Sequence, residues 1–89
     1  MMTVNKNYFI EIKKLINGLA VKGKDWDLVI MEPFHGFQVK CDGWDAICHD
    51  GSYGHEEGLL EVMGEPVCKN DYDNVEGWLT ADEILERLE

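Results

Sequence analysis

Two alternating runs of residues around an Asp-Gly pair constrain the fold of this chain more than any other feature. In residues 37–41 and again in residues 44–49, apolar and polar side chains alternate. A period of two residues is typical of strands that bury one face. Asp42-Gly43 separates the runs and suits a type I′ turn. The sequence therefore predicts a β-hairpin here, one face of which carries Phe37, Val39, Cys41, Trp44, Ala46 and Cys48.

Helical periodicity appears near the start of the chain. Residues 7–20 carry apolar side chains at three- and four-residue spacing, which predicts an amphipathic helix. Asn5 or Asn7 can cap its first turn. The sequence allows two positions for the end of this helix, Gly18 and Gly23, since glycine at either position could terminate it.

The last residues carry a clear helix start. Thr80 and Glu83 have the spacing of a capping box, and Leu79 and Ile84 occupy the hydrophobic-staple positions. These signals predict a second helix over residues 81–88.

Shorter apolar segments complete the expected sheet. Residues 26–32 and 59–63 predict two further strands, residues 65–74 an irregular acidic loop, and residues 75–78 a short extended piece. The expected architecture is a single α+β domain of residues 1–89, with an N-terminal helix, a three- to four-stranded antiparallel sheet and a C-terminal helix. We expect helices to cover one face of the sheet.

The distribution of charge is uneven. The 89 residues include 8 Lys and Arg against 18 Asp and Glu, which gives a net charge of −10. Beyond residue 40, with His taken as neutral, only Lys69 and Arg87 are positively charged. A chain with this negative charge should not bind a nucleic-acid backbone directly, because the phosphates are also negatively charged. The acidic part either aids solubility or forms a negative face that docks on a basic protein surface.

Composition also bears on location. No apolar run reaches the length of a membrane span, and no basic segment precedes an apolar stretch as in a signal peptide. The three cysteines are an odd number and cannot all pair. We therefore expect a protein of a reducing cytoplasm that does not bind membranes.

The segment 50–58 is the main candidate site. It holds three glycines, two ring side chains and three acids between two strands, and a long glycine-containing loop on a rigid sheet is a common place for function. The alternative is that its glycines supply only turn geometry. The candidate partner-binding residues are Tyr53, His55, Glu56 and Glu57, with Asp71 and Asp73 as a second acidic patch.

Metal binding and catalysis have weaker support. Cys48, His49 and His55 lie close in sequence, but zinc ligands usually come as two close pairs, which this chain lacks. Cys48 and His49 should also point to opposite faces of their strand. We expect no metal, no cofactor and no enzymatic activity.

Three stretches resemble small uncharacterised proteins of Gram-positive phages and prophages. They read Trp-Asp-Ala-Ile-Cys-His-Asp-Gly-Ser-Tyr-Gly (44–54), Gly-Leu-Leu-Glu (58–61) and Val-Glu-Gly-Trp-Leu-Thr-Ala-Asp-Glu (75–83). The resemblance spans about residues 44–86. It implies a short accessory gene product that acts in a bacterial cytoplasm by binding one host or phage protein, and it assigns no role to any residue.

The sequence as a whole predicts a small acidic, non-enzymatic protein-binding module whose partner has a basic surface. One alternative is a self-assembling structural protein, for example a homodimer. A less favoured alternative is a small metal-binding protein or an enzyme that uses Cys48, His49 and His55.

Overall fold

Five antiparallel strands form one sheet in the computed structural model, which describes residues 4–69 and 74–89. The strands follow one another in the sheet in the order of the chain, as a meander. The elements are α1 (Phe9–Val21), β1 (Asp27–Met31), β2 (Gly36–Cys41), β3 (Trp44–Cys48), β4 (Leu60–Met63), β5 (Val75–Leu79) and α2 (Ala81–Arg87). The α+β class and the terminal helices are confirmed.

The number of strands exceeds the three to four that the sequence predicts. The fifth strand is β5, which contains the predicted extended piece at residues 75–78. It pairs with β4, with Val75 opposite Met63 and Leu79 opposite Leu60. Two residues of β5, Gly77 and Trp78, lie opposite one residue of β4 in a β-bulge. The bulge breaks the alternation of side chains, which is why the sequence pattern did not indicate a full strand.

The central hairpin has the predicted register but a different turn. Cys41 pairs with Trp44, and the side chains of β3 alternate between buried and half-buried positions. Gly43 has a φ of +81°, whereas Asp42 has no positive φ. A type I′ turn needs positive φ at both central residues, so the turn corresponds to type II.

The core lies between the helices and one face of the sheet. On α1, Ile12, Leu15 and Leu19 are fully buried, and the helix packs against α2, β2 and β3. Val39 and Ala46 face it from the two central strands and are also fully buried. Burial of each large aliphatic side chain contributes about 1.5–3 kcal/mol, so this layer is the main source of stability.

The structure shows how each predicted helix begins and ends. The Asn5 side chain accepts a hydrogen bond of 2.9 Å from the Asn7 amide, which begins a 3₁₀ turn that leads into α1. The helix then passes through Gly18 and ends before Gly23, whose φ is +70°. At α2, Thr80 and Glu83 form both bonds of the capping box. In the described part of the chain, no helix is long and apolar enough to cross a membrane.

Candidate functional site

A buried serine anchors the segment that joins β3 to β4. The Ser52 hydroxyl donates to the His49 carbonyl and accepts from the His49 amide, both at 3.0 Å. Only 3% of Ser52 is exposed. These bonds fix the turn that leads out of β3 and give the next residue, Tyr53, a defined position on the sheet.

Tyr53 stacks on Trp78 at the surface of the protein. The two rings are 5.6 Å apart between centroids, and their planes differ by 4°. Tyr53 is 54% exposed and Trp78 is 58% exposed, although both are large aromatic residues. Side chains of this size are usually more buried, so a stacked, exposed pair is a candidate contact surface.

The backbone around the two rings holds them in place. The Trp78 amide donates to the Tyr53 carbonyl at 3.3 Å, and the Tyr53 amide donates to the Glu61 carboxylate at 2.8 Å. A side chain at Gly77 would collide with the Cβ and the carbonyl oxygen of Tyr53, and one at Gly54 would press on the Trp78 backbone. The glycines are thus required for the close approach of the loop to β5.

Trp78 also has a strained backbone. Its φ is +57°, in the left-handed region that bulky residues rarely adopt. Such conformations cost about 1–3 kcal/mol and persist only where the surrounding structure imposes them. Here the bulge in β5 imposes the conformation, and the indole ring is directed onto Tyr53 as a result.

His55 lies in a chain of hydrogen bonds rather than at the open surface. The Tyr8 hydroxyl donates to Asp50 Oδ1 at 2.8 Å and lies 3.0 Å from His55 Nδ1. Since the single hydroxyl proton goes to the carboxylate, His55 Nδ1 must donate to the hydroxyl oxygen. His35 Nδ1 lies 2.7 Å from Asp50 Oδ2 and completes the chain. This hydrogen-bond network, formed by Tyr8, His35, Asp50 and His55, joins the start of α1 to both loops at this end of the sheet.

The network shifts two pKa values in opposite directions. Burial, followed by the bond to the Asp50 carboxylate, raises the pKa of Tyr8 above its ordinary value. The bonds from His35 and then from Tyr8 lower the pKa of Asp50. Asp50 is therefore the negatively charged centre of the network at neutral pH, and Tyr8 remains neutral.

Glu56 and Glu57 are exposed in a short 3₁₀ turn, His55–Glu57. Together with Asn7 and Ile10 of the first turns of the chain, they line an open cleft of about 260 Å³. Ile10 is 54% exposed, so the cleft has an apolar wall beside the two carboxylates. The other predicted acidic patch, Asp71 and Asp73, lies outside the described residues.

The structure does not gather Cys48, His49 and His55 into one cluster. Cys48 is fully buried, and burial raises the pKa of its thiol to about 12. His49 Nδ1 accepts from the Gly51 amide at 2.9 Å, while His55 is bonded to Tyr8. Within residues 4–69 and 74–89, no group of three His, Cys, Asp or Glu side chains is placed to hold a metal ion.

Sequence reasoning missed several residues of this region. The sequence pattern places Trp78 only in a short extended piece and does not indicate its contact with Tyr53. The one local signal for that contact is the pair of glycines beside the two rings, Gly54 and Gly77. Tyr8 and Asp50 are 42 residues apart in sequence, and no local pattern connects them.

Comparisons with protein-family models, with curated proteins and with solved structures each gave no match.

Proposed function

We propose that this chain is a non-enzymatic protein-binding module whose partner contacts the exposed Tyr53–Trp78 pair. The observation that carries the proposal is the stacking of two aromatic side chains that are both more than half exposed. Tyr and Trp are enriched among the residues that contribute most to binding, because they offer large contact areas with few rotatable bonds.

Preorganisation supports the same function. Hydrogen bonds and close glycine contacts hold the backbone of both residues before any partner arrives, and the two rings stack on each other. Binding a partner then costs less conformational entropy than it would if the two side chains were mobile. The strained φ of Trp78 is consistent with a residue retained for a surface role.

The chemistry of the partner follows from charge. Glu56 and Glu57 are exposed in the turn that follows Tyr53, and the chain carries a net charge of −10. A partner with a basic surface would be attracted to this region and oriented by it. We infer a basic protein as the partner, and the resemblance to phage and prophage proteins suggests a host or phage protein of a bacterial cytoplasm.

The proposal can be tested with immobilised protein and a bacterial lysate. The wild type, the double variant Tyr53→Ala/Trp78→Ala and the control Phe34→Ala would be compared by mass spectrometry after low-salt and high-salt washes. Phe34 is a suitable control because it is also an exposed aromatic residue, at 47%, and its ring contacts His49 rather than the Tyr53–Trp78 pair.

We expect the wild type and Phe34→Ala to retain the same basic protein at low salt and release it at high salt. The double variant should lose that protein while circular dichroism shows an unchanged fold. Equal retention by all three proteins, or no captured protein with the wild type, would overturn the proposal.

A further inference from the structure

Three pairs of residues in this chain have a glycine directly after an aspartate or an asparagine. They are Asn17-Gly18, Asp42-Gly43 and Asp50-Gly51. Such pairs can rearrange, because glycine has no side chain to shield its amide nitrogen from the side-chain carbonyl carbon of the residue before it. The three pairs share this chemistry. Their hydrogen bonds and backbone conformation therefore decide which of them reacts in the folded protein.

Helix α1 protects the first pair, Asn17-Gly18. Gly18 lies inside α1, where its amide donates to the carbonyl group four residues earlier. Ring closure would require Asn17 to leave the helical conformation and Gly18 to lose that bond. Gly18 is also packed closely against α2, since a Cβ there would collide with the side chain of Leu85. This pair should stay unreacted while α1 is folded.

Hydrogen bonds protect the third pair, Asp50-Gly51, although both residues are exposed. The Asp50 carboxylate bonds to His35 at 2.7 Å and to Tyr8 at 2.8 Å, and the Gly51 amide donates to His49 Nδ1 at 2.9 Å. The bond from His35, followed by the bond from Tyr8, also lowers the pKa of Asp50. Ring closure would therefore require the loss of three hydrogen bonds and protonation of a carboxylate that is held in its charged form.

The second pair, Asp42-Gly43, has neither kind of protection. Both residues are exposed in the turn between β2 and β3. Within residues 4–69 and 74–89, the Asp42 carboxylate and the Gly43 amide make no hydrogen bond. Asp42 also borders an open cleft of about 380 Å³, which gives water access to it. The two reacting groups are thus available without the loss of any hydrogen bond.

We infer that Asp42-Gly43 is a site of spontaneous isoaspartate formation in the folded protein. The Gly43 nitrogen attacks Cγ of Asp42, so that a C–N bond forms while the C–OH bond breaks. The amide proton and the hydroxyl group leave as water. The resulting succinimide then takes up water at the main-chain carbonyl carbon of Asp42, and the original peptide bond breaks. The chain now runs through the Asp42 side chain, with an unchanged mass and a free α-carboxylate.

The product has one more carbon atom in the backbone of a two-residue hairpin turn. Turn length sets the register of a hairpin, so the pairing of Cys41 with Trp44 should be disturbed. Trp44 is only 8% exposed and belongs to the core, so the modified protein should be less stable. The turn lies at the opposite end of β3 from the loop that carries Tyr53. The modification therefore concerns a surface separate from the proposed partner contact.

Incubation of the folded protein at neutral pH, well below its melting temperature, tests the site. Samples taken over weeks are digested, and electron-transfer mass spectrometry distinguishes isoaspartate from aspartate. We expect isoaspartate at residue 42, with residues 17 and 50 unchanged. In concentrated urea the order should differ. Asn17 should react first, because ammonia leaves more readily than water, and residues 42 and 50 should react at similar rates.

Two variants separate this reaction from other ageing of the protein. Asp42→Glu should form no isoaspartate at this position, because its longer side chain would have to close a less favourable six-membered ring. Asp25→Glu is the matched control, since Asp25 is exposed at the same cleft but precedes a tryptophan. The wild type and Asp25→Glu should develop a fraction with a lower Tm in step with the isoaspartate content, whereas Asp42→Glu should keep its Tm.

Three results would overturn the inference. The first is a folded wild type that stays unmodified at residue 42 while the urea-treated chain reacts there. The second is modification at residue 17 or 50 of the folded protein at the rate seen at residue 42. The third is a loss of Tm in Asp42→Glu that matches that of the wild type.

Discussion

The hydroxyl group of Tyr8 donates a hydrogen bond of 2.8 Å to the carboxylate of Asp50, although the two residues are 42 positions apart in sequence. Tyr8 is only 6% exposed, so its hydroxyl has little access to water that could replace the bond. Because His55 also bonds to the same oxygen, one hydroxyl group joins the start of α1 to the loop between β3 and β4.

Tyr8→Phe should therefore destabilise the protein. The change leaves the ring in place but removes a bond to a charged group and leaves His55 Nδ1 without an acceptor. The expected loss is about 1.5–3 kcal/mol in the free energy of unfolding, measured by urea denaturation. Tyr53→Phe is the control, since the Tyr53 hydroxyl makes no hydrogen bond within the described residues. An equal effect of both changes would contradict the role of the network.

The network also predicts an acid-dependent loss of stability. The pKa of Asp50 is lower in the folded protein than its ordinary value. The stabilisation that Asp50 provides is thus present above the ordinary carboxyl pKa of about 4, and is lost as the pH falls through the lower folded-state value. Asp50→Asn should remove this component, so its Tm should fall less steeply below about pH 4 than that of the wild type.

Asp42→Asn provides the comparison for that experiment. Asp42 is exposed at the hairpin turn, and its carboxylate makes no side-chain hydrogen bond in the described ranges. This variant should keep the slope of Tm against pH seen in the wild type. A wild-type slope in Asp50→Asn would show that other carboxyl groups account for the acid sensitivity.

A second long-range link joins α2 to β5. The Arg87 guanidinium donates two hydrogen bonds of 2.9 Å to the Glu76 carboxylate and a third of 2.8 Å to the Val67 carbonyl. The paired bonds lower the pKa of Glu76. Lysine cannot reproduce this planar arrangement, so Arg87→Lys should cost about 2 kcal/mol in unfolding free energy. Lys14→Arg should change stability little, because Lys14 is 61% exposed and its ion pair with Glu11 is a single contact at the surface end of that carboxylate.

Most of the fold could be predicted because its signals are local. The alternation around Asp42-Gly43 predicted β2 and β3, and the capping box at Thr80 predicted the start of α2. The strand β5 was not fully recognised because a bulge displaces Trp78 from a simple period of two. The turn type was also predicted wrongly, because Asp-Gly favours a type I′ turn, whereas Asp42 lacks the positive φ that this turn requires.

The candidate site was only partly predictable for a related reason. Tyr53 could be singled out as an aromatic residue in a glycine-containing loop, but its stacking partner comes from a strand 25 residues later in the sequence. The sequence predicts His55 as a partner contact but does not indicate that its half-buried ring bonds to Tyr8. Pairings that form only when distant segments meet leave no periodic signal in the chain.

The close approach of Gly77 to Tyr53 gives the last prediction. A methyl group at residue 77 would collide with the Tyr53 Cβ and carbonyl oxygen, so Gly77→Ala should displace the loop and cost about 1–3 kcal/mol. The stacking of Tyr53 on Trp78 should loosen, which near-ultraviolet circular dichroism can detect. Gly51→Ala is the control in the same loop, because the added Cβ would meet nothing closer than 3.4 Å. Unchanged stability and an unchanged aromatic signal in Gly77→Ala would mean that this contact does not hold the pair.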